Sequence, residues 1–571
     1  MVTIEAQQAA ALRRPPTSPP LELPVPPRAP QSSPAAAGND FKLVAALVGL
    51  SLFVQLWLVT RAALPALDAV GYVAVAQAIE RDGLLATLRS EPEQPLFPLL
   101  VWCAHAIGTR CGAMDTSHWA TSAQVAAAIP LLLAVVPVFY LLRRMVGRPA
   151  AVAGCIFFCT LYAVARLGAD GISDSTHLLL LALGWCAAAA YLENVHDVAR
   201  RRPLWLAASG VGFGLAMLAR SEAILAPPAL ALTLVLLARR HGIAAWRGCA
   251  VGCGALALGL AVVLTPYLIV SDAQPPRTAV ARLLGGRAVS ERLPFNAPQG
   301  TPEIQEIAWQ WRGGGSLAFG RKDSTLTTRF SGFWPAIGEF LQELFQTLQY
   351  VVALLAAIGL AFRSKRPLTA LGRFCLVLAV TYAAGGLYVA LTHGYLAGRH
   401  LMVLVVLALP WAGLGSVAVS RWLAKWLSRE SLVRLGVVGG VGLACLSITI
   451  TPLNASRAAH RTAADWVAAA SESGAVLDTH GYSALYSGRK TYRYEAAPAA
   501  IEDRELRFVI VEELEFAAET ARGETMRQVL GRWARPALVV PDPCGKPDRG
   551  VLVFRWQPQL FAQAQDVHHA R

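Results

Sequence analysis

Several short stretches hold most of the ionisable residues that could do chemistry in an otherwise apolar chain. "LPALDAVGYVAVAQAIERDG", residues 64–83, carries Asp68 and, four positions on, Tyr72. "SEPEQPLFP" carries Glu91, Glu93 and Gln94, and "RLGADGISDSTH" carries Asp170 and Asp174. "LARSEAIL" adds Arg220 and Glu222, and "LTHGYLAGRHLM" adds His393, Tyr395, Arg399 and His400. Carboxylates and guanidinium groups in one place suit an anionic, phosphate-bearing substrate, because Arg220 and Arg399 could grip a phosphate through charge-assisted, bidentate bonds. Displacing that phosphate from a sugar carbon releases a stable anion and needs no strong general acid. It does need a base for the attacking hydroxyl, a role a fixed Asp68 can fill. Cations aimed at the phosphate would stabilise the charge that grows there.

This chemistry needs a scaffold that brings the stretches together. The chain has 571 residues, 55% hydrophobic and 15% charged, with a net charge of +14. Its mean hydropathy is +0.45, too apolar for a soluble domain of this length, so the fold class is a polytopic α-helical membrane protein. The arginines fall in short clusters between apolar runs, the distribution that membrane topology selects rather than nucleic-acid binding. Residues 1–40 are rich in proline and lack the apolar core of a signal peptide, and read as a disordered cytoplasmic tail. Cys155 with Cys159, and Cys249 with Cys253, lie in apolar runs and read as small packing residues. Cys103 and Cys111 could pair in an oxidising compartment.

Apolar runs lie at 41–61, 95–109, 119–142, 149–166, 175–193, 204–219, 223–239, 246–270, 345–362, 369–391, 400–420 and 435–452. Basic clusters at Arg143, Arg200, Arg239, Arg363 and Arg421 can all be cytoplasmic only if one early run does not cross. The run "PLFPLLVWCAHAIGT" is the weakest, with two prolines and about 22 Å of helical rise against a core of roughly 30 Å. It is expected to lie in the outer interface. About eleven spans then remain in a domain of residues 41–452, with the N-terminus cytoplasmic and the C-terminus extracytoplasmic. Outer loops cover 62–118 and 271–344, the second with amphipathic stretches suited to the membrane surface. Residues 453–571 alternate the β-rich runs "AVLDT", "RFVIVEE", "ALVVPDP" and "VLVFRW" with helical patterns near 460–471 and 519–534. They predict a small extracytoplasmic α/β domain. In this topology the ionisable stretches all sit at span ends on one face, and a shared polar cavity follows.

These motifs also resemble a family. "LDAVGYVAVAQAIERDG" followed by "EPEQPLFPLL" is similar to the first outer loop of the C-type glycosyltransferases, which include the protein O-mannosyltransferases and the lipid A aminoarabinose transferases. "ISDSTHLLLLALG", "LAMLARSEAILAPPAL", "YLAGRHLMVLVVLALPWAGLG" and "TAADWVAAASESGAVLDTHGYSALYSGR" resemble later family segments in the same order, across most of residues 41–490. The resemblance implies a polyprenyl-phosphate sugar donor and a lipid, glycan or protein acceptor at the outer face of a cell membrane. It implies Asp68 as the catalytic acid of the family, Asp174 as its second-loop acid and Arg399 near the lipid phosphate. Tyr72, Asp170, Arg220, His393 and Tyr395 join the expected substrate-binding set. Glu93, Gln94 and Pro95 stand where the aminoarabinose transferases carry an acidic-Lys-Pro triplet, so the lysine charge is missing here. Ala69 replaces a second acidic residue of the mannosyltransferases.

A different class, a transporter or flippase of a lipid-linked glycan, would line its path with the same charges. No cofactor is called for by these motifs; a divalent metal between His393 and Glu93 is the one candidate, although the spacing is not that of a compact chelate. "NAS" at 454–456 matches a glycosylation acceptor pattern.

Overall fold

The computed structural model describes residues 34–91, 94–112, 119–194, 202–241, 243–270, 333–363, 368–393, 396–427, 429–519, 521–545 and 549–561. Helix α1 (Pro34–Arg61) begins inside the segment expected to be tail: proline is tolerated in a first helical turn, and the three alanines that follow it are the strongest helix formers. The reading of residues 1–33 lies outside the described residues. From Ala46 onward the chain forms one compact unit.

The segment that follows α1 is helical over most of its described length. It comprises α2 (Leu67–Asp82), α3 (Leu84–Ser90) and α4 (Leu96–Arg110). Helix α4 is the weak apolar run. At 15 residues it is too short to cross alone. Helices α5 (Trp119–Val146), α6 (Arg148–Thr160) and α7 (Tyr162–Ala169) follow, then α8 (Asp174–Leu192), α9 (Leu204–Ala219), α10 (Ala226–His241) and α11 (Ile243–Val270). After residues 271–332 come α12 (Phe333–Thr347), α13 (Val351–Arg363), α14 (Ala370–His393), α15 (Met402–Leu427) and α16 (Glu430–Thr449).

Eight helical stretches among the described residues are long and apolar enough to cross a membrane. Two further pairs are bent spans: α6 with α7 at 52°, and α12 with α13 at 101°. Counting each pair once gives up to ten, and the apolar α9 is shorter than the rest. The eleven expected runs map onto these segments in order. The proline-rich composition of the spans does not unfold them: α5 keeps Pro130 and Pro137 in its interior, which neighbouring helices tolerate in a membrane bundle. Small residues set the packing around α15. A Cβ at Gly413 would collide with the Ala150 carbonyl of α6, and one at Gly415 with the Leu355 carbonyl of α13. Backbones meet directly there, as small residues allow in membranes.

The C-terminal region is the expected small α/β domain. It opens with α17 (Ala458–Ala469), followed by β1 (Ala475–Asp478), α18 (Ser483–Tyr486), β2 (Thr491–Tyr492) and α19 (Ala497–Glu502). Then come β3 (Leu506–Glu512), α20 (Glu513–Ala517), α21 (Ala521–Trp533), β4 (Ala534–Val540) and β5 (Val551–Trp556). The sheet order is β2-β1-β3-β5-β4, with β2, β1 and β3 parallel and β5 and β4 antiparallel. All four β-rich runs of the sequence are strands. The two-residue β2 is too short to leave a pattern.

This domain is packed onto α2, α4 and α5. Tyr482, Leu485 and Tyr486, around α18, share one buried core with Val70 and Val73 of α2, Phe97 of α4 and Trp119 of α5. The Gln77 side chain of α2 also donates to the Ala484 carbonyl, at 3.2 Å. The seam therefore runs along the helix that carries Asp68.

Neither Cys103 nor Cys111 forms a disulfide. The acceptor pattern at 454–456 has a structural use instead. Asn454 sits at φ 54°, and its amide donates to the Leu64 carbonyl at 2.9 Å and to Asp170 Oδ1 at 3.2 Å. That amide nitrogen is occupied in joining the domain to the bundle.

Candidate active site

Two acids of the expected set stand where the local backbone favours a carboxylate. Asp68 and Asp174 occupy the first turns of α2 and α8, the positive end of a helix dipole. The arginines are placed by interruptions. At Arg220 the chain leaves α9 in an extended conformation, φ −154°, before the 3₁₀ turn Ser221–Leu225 opens the next span. Arg399 lies in the 3₁₀ turn Gly398–Leu401 that precedes α15. Both breaks free the guanidinium from the helix surface and turn it across the end of the bundle.

Arg399 forms an ion pair with Asp68, across 331 residues of sequence. Arg220 donates to Asp174 at 2.5 Å, and grips Glu222 through two nitrogens at 2.6 and 3.2 Å. His400 Nδ1 lies 3.7 Å from the same Glu222. Tyr72 and Ser173 share a hydrogen bond of 2.9 Å. The contacts close a ring: Asp68 to Arg399, next-door His400 to Glu222, Arg220 to Asp174, next-door Ser173 to Tyr72, one turn along α2 from Asp68. Phe97 packs edge-on against Tyr72, with ring centroids 5.0 Å apart. Burial pushes the Tyr72 hydroxyl above its ordinary value, against the pull of Arg220, so it stays a neutral hydrogen-bonding group.

The two Asp–Arg pairs differ in exposure. The side chains of Asp68 and Arg399 are 40% and 30% exposed, those of Asp174 and Arg220 4% and 13%. The first pair opens to solvent and the second lies inside the wall.

Asp170 serves the scaffold. It accepts from Arg166 at 2.6 Å and from Asn454, while its backbone carbonyl accepts from the Ala66 N–H at 2.9 Å. Burial raises its pKa despite Arg166. It fixes the turn that leads into α2, one step behind Asp68. Gln94 is partly buried at the head of α4 and takes part in none of these ion pairs. Glu93 and Tyr395 lie outside the described residues, as does the side chain of His393 at the end of α14. The expected metal pair Glu93 and His393 therefore falls there too.

Three members of the ring lie outside the expected substrate-binding set. Ser173 and His400 are adjacent to residues within it, and Glu222 follows Arg220 by two. Arg493 gave no signal, since it comes from the other domain: its guanidinium stands 3.9 Å from where a Cβ on Gly71 of α2 would be. Only the folded seam brings it to the helix that carries Asp68.

Residues 95–269 match the family model described as dolichyl-phosphate-mannose-protein mannosyltransferase. No curated protein sequence matches the chain. Among solved structures, ArnT from Cupriavidus metallidurans bound to undecaprenyl phosphate is similar with a TM-score of 0.57 at 12% identity, covering 90% of this chain and 97% of that one. The Archaeoglobus fulgidus oligosaccharyltransferase complex with Zn and sulfate gives 0.54 at 12% identity, over 90% of this chain and 73% of that one. The oligosaccharyltransferase AglB of the same archaeon, with an inhibitory peptide and a dolichol-phosphate, gives 0.52 at 12% identity, over 90% and 74%. This multi-pass membrane protein thus shares its fold with these solved structures over nearly the whole chain, and residues 95–269 of it resemble the mannosyltransferase family.

Proposed function

We propose that the chain moves a sugar from a polyprenyl-phosphate-linked donor to a hydroxyl acceptor at the outer face of a cell membrane. The observation that carries this reading is the open Asp68–Arg399 pair at the mouth of the ring. The donor phosphodiester competes with the Asp68 carboxylate for Arg399 through charge-assisted bonds. Asp68 is released as Arg399 turns to the phosphate, so base and donor are made ready in one event. The acceptor oxygen then attacks the anomeric carbon while its proton passes to Asp68. The carbon–oxygen bond to phosphate breaks with its electron pair, and polyprenyl phosphate leaves. Arg399 meets the charge that grows on it. Tyr72, held by Ser173, and Arg220, held by Asp174 and Glu222, shape the wall on which the sugar rests.

The coarse reading agrees with the superfamily. Undecaprenyl phosphate is bound in the similar ArnT structure, and a dolichol-phosphate in that of AglB. The orientation that suits the reading has residues 1–40 on the cytoplasmic side and the C-terminal domain outside. Its partners are the lipid donor, the membrane itself and a lipid, glycan or protein acceptor.

The test is transfer by purified protein in lipid vesicles, with hexosyl and pentosyl polyprenyl phosphates as a donor panel and envelope extracts as acceptors. Mass spectrometry of glycolipids and glycoproteins with the protein present and absent identifies the product. Asp68→Asn should lower transfer at least about a hundredfold, the effect of a lost general base. An Asp68→Asn protein that turns over like wild type would remove the base assignment. Translocation of a lipid-linked glycan with no transferred sugar would replace the enzyme by a flippase.

A further inference from the structure

Away from the ring, a second polar cluster lies in the C-terminal domain and is not used by the proposed reaction. His460 is in the first turn of α17, His480 follows β1 by two residues, and Glu512 ends β3. Neighbouring β1 and β3 run parallel, so His480 and Glu512 stand together at the carboxyl ends of two strands, where open α/β sheets bind ligands. His460 Nε2 lies 2.9 Å from Glu512 Oε1, and His480 Nε2 lies 3.6 Å from the same oxygen. One donor atom from each residue falls within 4.8 Å of the other two. The side chains are 2%, 12% and 23% exposed for His460, His480 and Glu512.

We propose that His460 Nε2, His480 Nε2 and Glu512 Oε1 hold one divalent transition-metal ion of the zinc type. Two imidazoles and a carboxylate with a fourth position open are a donor set that zinc accepts. Bonds of about 2.0–2.1 Å in tetrahedral geometry set donor atoms roughly 3.3 Å apart, and the observed 2.9 and 3.6 Å bracket that spacing. Thr479 Oγ1 lies 3.3 Å from His480 Nδ1, the outer-shell contact that turns the other ring nitrogen toward a metal.

Such an ion ties three segments at the seam. Asp478 already fastens the loop that carries His480, accepting from the His480 N–H at 3.0 Å and the Ser483 N–H at 2.8 Å. Two residues past His480, Tyr482 enters the core it shares with α2 and receives a hydrogen bond from Arg457 at 3.1 Å. The metal would therefore stiffen the loop against which the Asp68 helix rests. This inference stands apart from the transferase reading, because its readouts are metal content and stability rather than transfer.

The experiment uses the full-length protein in detergent, purified without a histidine tag. Metal content is measured by mass spectrometry, Co²⁺ binding by its visible absorption, and Tm with and without chelator. Wild type should bind in a one-to-one ratio, show a tetrahedral Co²⁺ spectrum and melt lower after chelation. His480→Ala and Glu512→Gln should lose the ion and the chelator effect; Glu512→Gln keeps the shape of the side chain and guards against misfolding. A protein lacking His568 and His569 should behave as wild type. Metal that survives both site variants, or a wild type that takes up none and is indifferent to chelator, overturns the site.

Discussion

Two Asp–Arg pairs stand at the same end of the bundle, built from the same residue types, yet they are set in opposite surroundings. Asp174–Arg220 is buried, and Glu222 supports it from a second side. Asp68–Arg399 is open to solvent. An enclosed pair has no competitor and costs dearly to break, whereas an open pair is worth little and can be exchanged for a ligand. The difference divides the ring into a fixed wall and an exchangeable mouth.

Removing one partner of the wall pair should have the largest effect. Arg220→Ala leaves the buried Asp174 carboxylate without its cation, and a loss of about 3–5 kcal/mol in stability is expected, seen as a fall in Tm. Should Arg220→Ala melt like wild type, the wall and the mouth are not different in kind. The matching change in the mouth, Arg399→Ala, should shift stability by no more than about 1 kcal/mol. Its cost should appear in donor binding, weaker by roughly tenfold to a hundredfold for lost charged hydrogen bonds of about 1.5–3 kcal/mol. Titration with polyprenyl phosphate, followed by intrinsic fluorescence, measures that loss directly.

The seam behind the mouth gives a smaller effect. Gly481 sits at φ +77°, and a Cβ there would lie 2.9 Å from Arg493 Cγ and 3.0 Å from Val70 Cγ1. Gly481→Ala should cost about 1–2 kcal/mol from backbone conformation, and limited proteolysis should find the C-terminal domain loosened from α2. Gly531, which has no neighbour near its Cβ position, offers the contrasting site.

The smallest expected effect lies far from both pairs. Asp503 is lowered to about 2; its partial burial acts upward, and bonds from Tyr492, the Glu505 N–H and Lys490 overcome it. A carboxylate lowered in the folded state contributes stability that is complete above its unfolded value of about 3.9 and vanishes as pH falls toward 2. Thermal melts between those limits should show a shallower acid limb in Asp503→Asn. An identical limb would remove Asp503 from the acid response.

How much of this was legible beforehand depended on the length scale of the signal. The apolar helices, the short α4 and four of the five strands follow from local hydrophobic pattern, and they are present in the structure. Asp68, Asp174, Arg220 and Arg399 stood out because a charge at the end of an apolar run is costly anywhere but in a polar pocket. What pattern cannot carry is who pairs with whom. Arg399 meets Asp68 across 331 residues, and Arg493 reaches α2 only after a second domain has folded and docked. Nor can pattern show that Asp170 is bonded to Arg166, to Asn454 and, through its carbonyl, to the Ala66 N–H before α2. The helix start at Pro34 was hidden by prolines further upstream.

The right-angle bend between α12 and α13 reaches further than the fold. The last turn of α12 is the seat of the 3₁₀ turn that holds Arg399. Gly398 is pressed so closely on it that a Cβ would stand 2.7 Å from Thr347 Oγ1 and 3.0 Å from Glu343 Oε1. A tilt of α12 is thus delivered to the neighbouring guanidinium with no slack between. The angle between two helices and the placement of Arg399 are thereby one variable, so whatever bears on α12 bears on the exchangeable pair.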